Sequence, residues 1–396
     1  MSYERPYEGV KVVDLSQGIA GPYCGMLLAQ HGADVIKVEP LQGDWARVLG
    51  TPTSDHTEFS FLGSLGKRSL AIDLKSKEAP AVIDALVAGA DIFMEGFRPG
   101  VIDRLGFGHE RLMTLNPNLV YLSVSGFGQI GPMRGKPAMD PVLQAFTGFM
   151  MDNQGNDGIP HRTNTIINDM STALYAFSAV APALHAQRQG EGGRYLDVSL
   201  MRGAANFTGI RITTASHRAL QRAGSPPSGI HATAEGWIQL VIIKDSDFQL
   251  VCELMGLDDL KDDDSLIGLP ARMEHGALLQ QRFGPAFLTK SADQWRDIFT
   301  EAGLQNEVLL SFDEFLAHPH VGETELFSYL DLPGLERPLA IPNPPGLPKL
   351  EPGTATATSP VTGQHCAEVL AEIGYDEAAV ADLRERGVIR TWPAPV

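Results

Sequence analysis

Cysteine is scarce in this chain. Cys24, Cys252 and Cys366 are the only three in 396 residues, and they stand far apart. That excludes a disulfide scaffold and any Cys-x-x-Cys zinc or redox motif, and it points to a reducing compartment. Long apolar runs are missing too: no stretch approaches the ~18 uninterrupted apolar residues of a membrane span. The opening MSYERPYEGVKVVDL lacks the charged-then-apolar pattern of a secretory signal, so the cytoplasm is the expected location. Positive charge is in deficit, with 31 Lys+Arg against 48 Asp+Glu and a net charge of −17. Such a surface repels nucleic acid and anionic membrane, and neither is expected as a partner. No His-x-x-x-His pair and no Gly-x-Ser-x-Gly elbow occurs, so no metal is expected and an α/β-hydrolase is disfavoured.

What is present is an ordinary globular balance, 43% hydrophobic and 20% charged, in a chain long enough for two domains. Short apolar runs at residues 10–15, 35–39, 69–74, 91–95 and 119–125 alternate with amphipathic stretches at 23–31, 78–88 and 109–115. Strand, helix and strand at this spacing predict βαβ units and a parallel sheet, with a ligand at the carboxyl ends of the strands. Residues 139–150 and 165–189 read as helices, followed by a strand at 195–200 and a helix at 201–220. The stretch RAGSPPSGI, residues 222–230, is the best candidate domain boundary. Beyond it, a strand at 237–243 and helices at 248–255, 277–283, 292–302 and 312–316 predict a smaller α+β domain.

Several residues could carry chemistry. The turn after residue 15 places Gly21 and Pro22 at a helix start, where free amides favour an anion. Cations recur near the strand ends, namely Lys37, Lys67, Arg68, Lys75, Arg98, Arg104 and Lys136. Each is by itself an ordinary solvated charge, but a phosphorylated ligand needs such partners. Asp169 falls near the start of the 165–189 helix. Taken alone it suits a helix cap better than catalysis, because Asp is a favoured N-cap. The other reading is a carboxylate nucleophile attacking a thioester carbonyl, with helix-end amides near the developing oxyanion. Gly126, Gly128 and Gly131 match the letters of a dinucleotide fingerprint, but PMRGKP follows where that motif needs a helix. That loop is a lid, a substrate contact or a plain turn. The residues alone lead to an α/β enzyme for a phosphate-rich ligand.

The segments AGPYCGMLLAQHGADVIKVE, GKRSLAIDLK, FRPGVIDRLGF, KPAMDPVLQAFTGFM, the Asp169 helix and GEGGRYLDVSLMRGA, in this order, resemble the class III CoA-transferase family. That family includes formyl-CoA transferase, carnitine CoA-transferase and α-methylacyl-CoA racemase. The resemblance implies an α/β fold: a Rossmann-like large domain with a parallel sheet, from residues 1–222 and 330–396, and a smaller α+β domain at 223–329. It also implies an interlocked homodimer, with acyl-CoA and a small carboxylic acid as substrates and coenzyme A as the group moved. Asp169 stands at the family's catalytic aspartate, which passes through an aspartyl-CoA thioester. Positions matching its CoA contacts are Ile19, Ala20, Ile72, Asp73, Leu74, Lys75, Gly96, Phe97, Arg98, Arg104 and Lys136. Pro40 departs from the pattern at a position where a relative has an arginine on the adenine side.

The racemase branch of the family needs a His and an Asp flanking the α-carbon. Met139 fills the place of that His, and Lys244 that of the Glu which would orient it. CoA transfer is therefore the preferred reading over racemisation of a 2-substituted acyl-CoA, with a catalytically silent CoA-binding protein as the third. Arg162, Arg211 and His231 are candidates to meet the second carboxylate of a dicarboxylic substrate.

Overall fold

The computed structural model describes residues 5–155, 158–217 and 226–392. Contacts divide the chain into two units, Met1–Ser216 with Glu325–Val396, and His217–Thr324. The boundary expected at 222–223 lies outside the described residues.

The first unit is built on seven strands. They are β1 (Lys11–Leu15), β2 (Asp34–Glu39), β3 (Arg68–Ile72), β4 (Ile92–Glu95), β5 (Val120–Ser125), β6 (Arg194–Ser199) and the late β12 (Ile389–Arg390). Their order is β12-β3-β2-β1-β4-β5-β6. Every pair among the first six is parallel, and β12 joins β3 antiparallel, with Ile389 opposite Ile72. The order 3-2-1-4-5-6 is the doubly wound arrangement, and its direction reverses between β1 and β4.

Apolar runs this dense arise because both faces of a parallel sheet are covered. Successive residues point to opposite faces. Val13, Ile36, Leu70 and Phe93 pack on one side with the helices Ala79–Ala88, His109–Leu115, Cys366–Glu372 and Glu377–Glu385. Val12, Val35, Ile92, Leu122 and Val124 pack on the other with the helices Ala20–Gln30 and Ile167–Arg188. A smaller pair, β10 (Phe327–Leu330) and β11 (Leu339–Pro342), lies in the same unit.

The second unit holds an antiparallel sheet of β7 (Gly229–Ala232), β8 (Trp237–Val241) and β9 (Gln305–Val308). Its core gathers Ile238, Leu240, Phe248, Phe283, Phe287, Trp295 and Phe299. The single helix expected at 201–220 is two, Leu200–Phe207 and Gly209–Ala215. No helix among the described residues is long and apolar enough to cross a membrane.

Candidate active site

Charged and hydroxyl side chains interrupt the apolar strands chiefly toward their carboxyl ends. Asp14, Lys37, Glu39, Glu95, Ser123 and Ser125 are all buried there. Three adjoining cavities open at this edge, about 350, 440 and 480 Å³ in volume. The first contains Gln17, Ile19, Ala20, Gly21, Trp45 and Asp169. It shares Gln17 with the second, and Gly96, Arg98, Ser125, Gly126, Ala138 and Met139 with the third. The turn of Gly96, Phe97 and Arg98 therefore borders all three, at the point where the strand order reverses.

Asp169 is the third residue of the helix Ile167–Arg188, and the N-cap residue Ile166 has no side chain to cap with. The capping is supplied from elsewhere. Asp140, buried at the start of the helix Asp140–Phe146, accepts the Asn168 amide at 2.6 Å and the Asp169 amide at 3.2 Å through Oδ2. Its Oδ1 accepts from Gln144 Nε2 at 2.6 Å. Asp169 is thus relieved of capping, and its half-buried carboxyl borders the first cavity. There the Ala20 amide, at the start of the facing helix, favours its charged form. Burial, with the negative Asp140 beside it, pushes its carboxyl up to about 7 against the pull of that amide. A carboxylate nucleophile needs the ionised form, so this rise counts against Asp169 in that role. The fraction that is ionised is a more basic carboxylate. The Gly21 amide borders the same cavity and has no hydrogen-bond partner among the described residues.

The expected CoA-contact residues divide by position. Ile19 and Ala20 line the first cavity. Ile72, Asp73, Leu74 and Lys75 line the second with Pro40, and the Asp73 carboxylate fixes their turn by accepting the Lys75 amide at 2.9 Å. Lys136 lines the third and lies 5.7 Å over the Phe127 ring. Arg104 borders none of the three cavities and stands exposed on the short helix Val101–Arg104. The side chains of Lys75, Arg98, Arg104 and Lys136 are solvent-exposed and form no ion pair among the described residues. Glu95 supports the shared turn from below, where its Oε2 accepts the Phe97 amide at 2.8 Å. Burial pushes its carboxyl up to about 7, and its Oε1 has no hydrogen-bond partner among the described residues.

Other expectations are corrected. Lys67 is sealed against Asp14 at 2.7 Å, and Lys37 against Asp44 at 2.7 Å. Arg68 pairs with Asp34, Glu368 and Glu372. All three cations are already paired with carboxylates, and Lys37 and Lys67 are buried as well. In the Gly126–Gly128–Gly131 loop, Gly128 has φ +91 and donates to Ser125 Oγ at 3.1 Å, so the segment is a fastened turn. Only Ser125 and Gly126 at its start border the cavities. Arg162 and Arg211 line none of the three. Arg211 pairs with Asp152, while His231 is buried against Phe287, with ring centroids 3.9 Å apart. Residues the sequence reading missed are Gln17, Trp45, Arg134 and the cap Asp140. Among the described residues no group of three His, Cys, Asp or Glu could hold a metal ion.

Comparison with known proteins completes the assignment. Residues 7–366 match CoA-transferase family III, and the chain belongs to that family. It is 32% identical over 396 residues to succinate–glutarate CoA-transferase of Agrobacterium fabrum, covering 93% of this chain and 96% of that protein. It is 27% identical to human succinyl-CoA:glutarate CoA-transferase, covering 98% of this chain and 91% of the relative. Among solved structures, Rv3272 of Mycobacterium tuberculosis superposes with a TM-score of 0.81 at 26% identity, over 93% of this chain and 100% of that one. A CAIB/BAIF family protein from Brucella suis gives 0.80 at 26% identity, over 94% and 100%. The protein is accordingly a class III CoA-transferase, an enzyme that acts on CoA thioesters.

Proposed function

We propose that this enzyme moves CoA from an acyl-CoA donor to a carboxylic acid acceptor through covalent intermediates on Asp169. The observation that carries this reading is the division of labour between two acids. Asp140 caps the helix, so the Asp169 carboxyl is left to face the cavity at the strand-order reversal. A capping aspartate has its oxygens occupied by its own helix; this one does not.

In the first step a carboxylate oxygen of Asp169 attacks the thioester carbonyl. The C–S bond breaks, CoA leaves as the thiolate, and a mixed anhydride remains. The thiolate then attacks the Asp169 carbonyl of that anhydride and releases the donor acid as a carboxylate, which leaves an aspartyl-CoA thioester. The acceptor carboxylate attacks that thioester and again expels the thiolate. Attack of the thiolate on the acceptor carbonyl yields the new acyl-CoA and restores Asp169. No net proton is gained or lost. The free Gly21 amide is suited to the oxyanion of each tetrahedral intermediate.

CoA phosphates require cations that are open to solvent, and Lys75, Arg98, Arg104 and Lys136 meet that condition. Met139 is half-exposed beside the Asp169 cavity and can neither give nor take a proton. Racemisation needs a base on each side of the α-carbon, so this side chain favours transfer. The names of the relatives support short dicarboxylic acids as first substrates to try. A homodimer in which the chains interlock is part of the same proposal. The test is an assay of CoA exchange between succinyl-CoA and a panel of acids. Exchange that Asp169→Asn reduces at least about a thousandfold is expected; exchange that survives the substitution refutes the covalent route.

A further inference from the structure

Lys37 was a phosphate candidate, yet it is buried, and every polar contact of its ammonium leads back to the site. Lys37 Nζ donates to the Ser16 carbonyl at 2.7 Å and pairs with Asp44 at 2.7 Å. Burial works against its charge, but Asp44, Asp14 and Glu39 outweigh it and hold the ammonium above the ordinary lysine value. Asp44 in turn accepts the Gly18 amide at 3.0 Å and the Ala46 amide at 2.9 Å through Oδ1. The pair therefore grips the turn at residues 16–20 by a carbonyl on one side and an amide on the other. Gly18 has φ +80, and a Cβ placed there would lie 2.2 Å from the Trp45 indole. Trp45 follows Asp44 directly and lines the Asp169 cavity. The turn ends at Ala20, which lines the same cavity as Trp45 and Asp169, and its amide favours the charged form of the Asp169 carboxyl.

A buried ion pair adds little stability over apolar side chains of the same volume. Its retention at this place calls for a reason of another kind, and the contacts supply one. We propose that the buried Lys37–Asp44 pair is a positioning device for the nucleophile, locking the 16–20 turn so that the Ala20 amide is presented to Asp169. The inference rests on Asp169 as the nucleophile, but its test separates the two ideas.

The test uses the double variant Lys37→Met with Asp44→Asn, which removes both charges together and keeps the side-chain volumes. Two quantities are read on the folded protein. The first is the single-turnover rate of Asp169 acylation by acyl-CoA, expected to fall about tenfold while KM for acyl-CoA changes less than about threefold. The second is the pH midpoint of carbodiimide labelling at Asp169 without substrate. It is expected to rise by about half a unit, because the Ala20 amide favours the charged form and is loosened. Asp44→Asn alone, which keeps an acceptor oxygen for Gly18, is expected to fall between wild type and the double variant. Where the double variant does not fold, Gly18→Ala disturbs the same turn through Trp45 and is expected to raise the midpoint likewise. A raised midpoint in a protein whose wild type gives no Asp169 adduct upholds the positioning role and refutes the covalent route. An unchanged midpoint overturns the positioning role, whatever the rate does.

Discussion

Lys67 and Lys75 flank the same strand, β3, and differ completely in solvation. Lys67 is fully buried, with Nζ 2.7 Å from Asp14 and 2.8 Å from the Pro22 carbonyl. Burial leaves its ammonium below the ordinary lysine value even with Asp14 beside it. Lys75 is exposed, has no ion pair among the described residues, and lines a cavity. The contrast extends to the rest of the strand ends. Lys37, Lys67 and Arg47 form a floor of matched charges under the site, with Asp14, Glu39, Asp44 and Asp55 as partners. Arg98, Arg134 and Lys136 form an open wall: they line a cavity that has no acidic residue in its lining. A floor whose charges are already paired has nothing to offer a ligand. A wall of cations with no ion pair among the described residues, on a chain of net charge −17, is suited to a polyanion.

The largest effect that can break this comparison is on the floor. Lys67→Met takes the ion-pair partner from the buried Asp14 and is expected to cost about 3 kcal/mol of stability, read by chemical denaturation. Lys75→Ala, eight residues along, is expected to change stability by less than about 0.5 kcal/mol. Equal losses at the two sites would erase the distinction between floor and wall. Next in size are the wall cations. Arg98→Ala and Lys136→Ala are each expected to raise KM for acyl-CoA about tenfold, with unchanged thermal stability, in steady-state kinetics. The wild-type KM should also climb with added salt, and the variants should show a weaker climb.

The smallest effect is the most diagnostic of the two acids. Transfer activity is expected to rise as pH passes through about 7, where the Asp169 carboxyl ionises. Asp140→Asn keeps an acceptor for the helix amides and removes the neighbouring charge, so the midpoint of that rise should move to lower pH. The sign for stability is opposite. The Asp169 carboxyl is raised from 3.8 to about 7 on folding, so the folded state holds its proton more tightly. Its contribution is present at low pH and is lost as pH climbs from about 3.8 to 7. Asp169→Asn should therefore gain on the order of 1 kcal/mol above pH 7, seen as a raised melting temperature.

The fold was legible wherever a signal was local. Apolar runs bounded by turns predicted β1 to β5 within about two residues, because a strand buried on both faces must be apolar throughout. The site was legible only in part. Lys37 and Lys67 were misread because their partners are hidden by folding: Asp14 lies 53 residues from Lys67. Asp169 by itself suited a cap, and its resemblance to a family position is what singled it out. The reason it is not a cap, Asp140, lies 29 residues upstream with no local pattern to mark it. Gln17 and Trp45 carry no catalytic signature of their own and become neighbours of Asp169 only once β1, β2 and the Ile167–Arg188 helix converge.

The central claim is a bond to Asp169, and trapping tests it most directly. The protein is incubated with a donor acyl-CoA that supports transfer, then treated with hydroxylamine or borohydride and examined by peptide mass spectrometry. The modification is expected on the peptide containing Asp169 and is expected to be absent from Asp169→Asn. An unmodified Asp169 with every active donor, accompanied by exchange of the substrate α-proton with solvent deuterium, would contradict it.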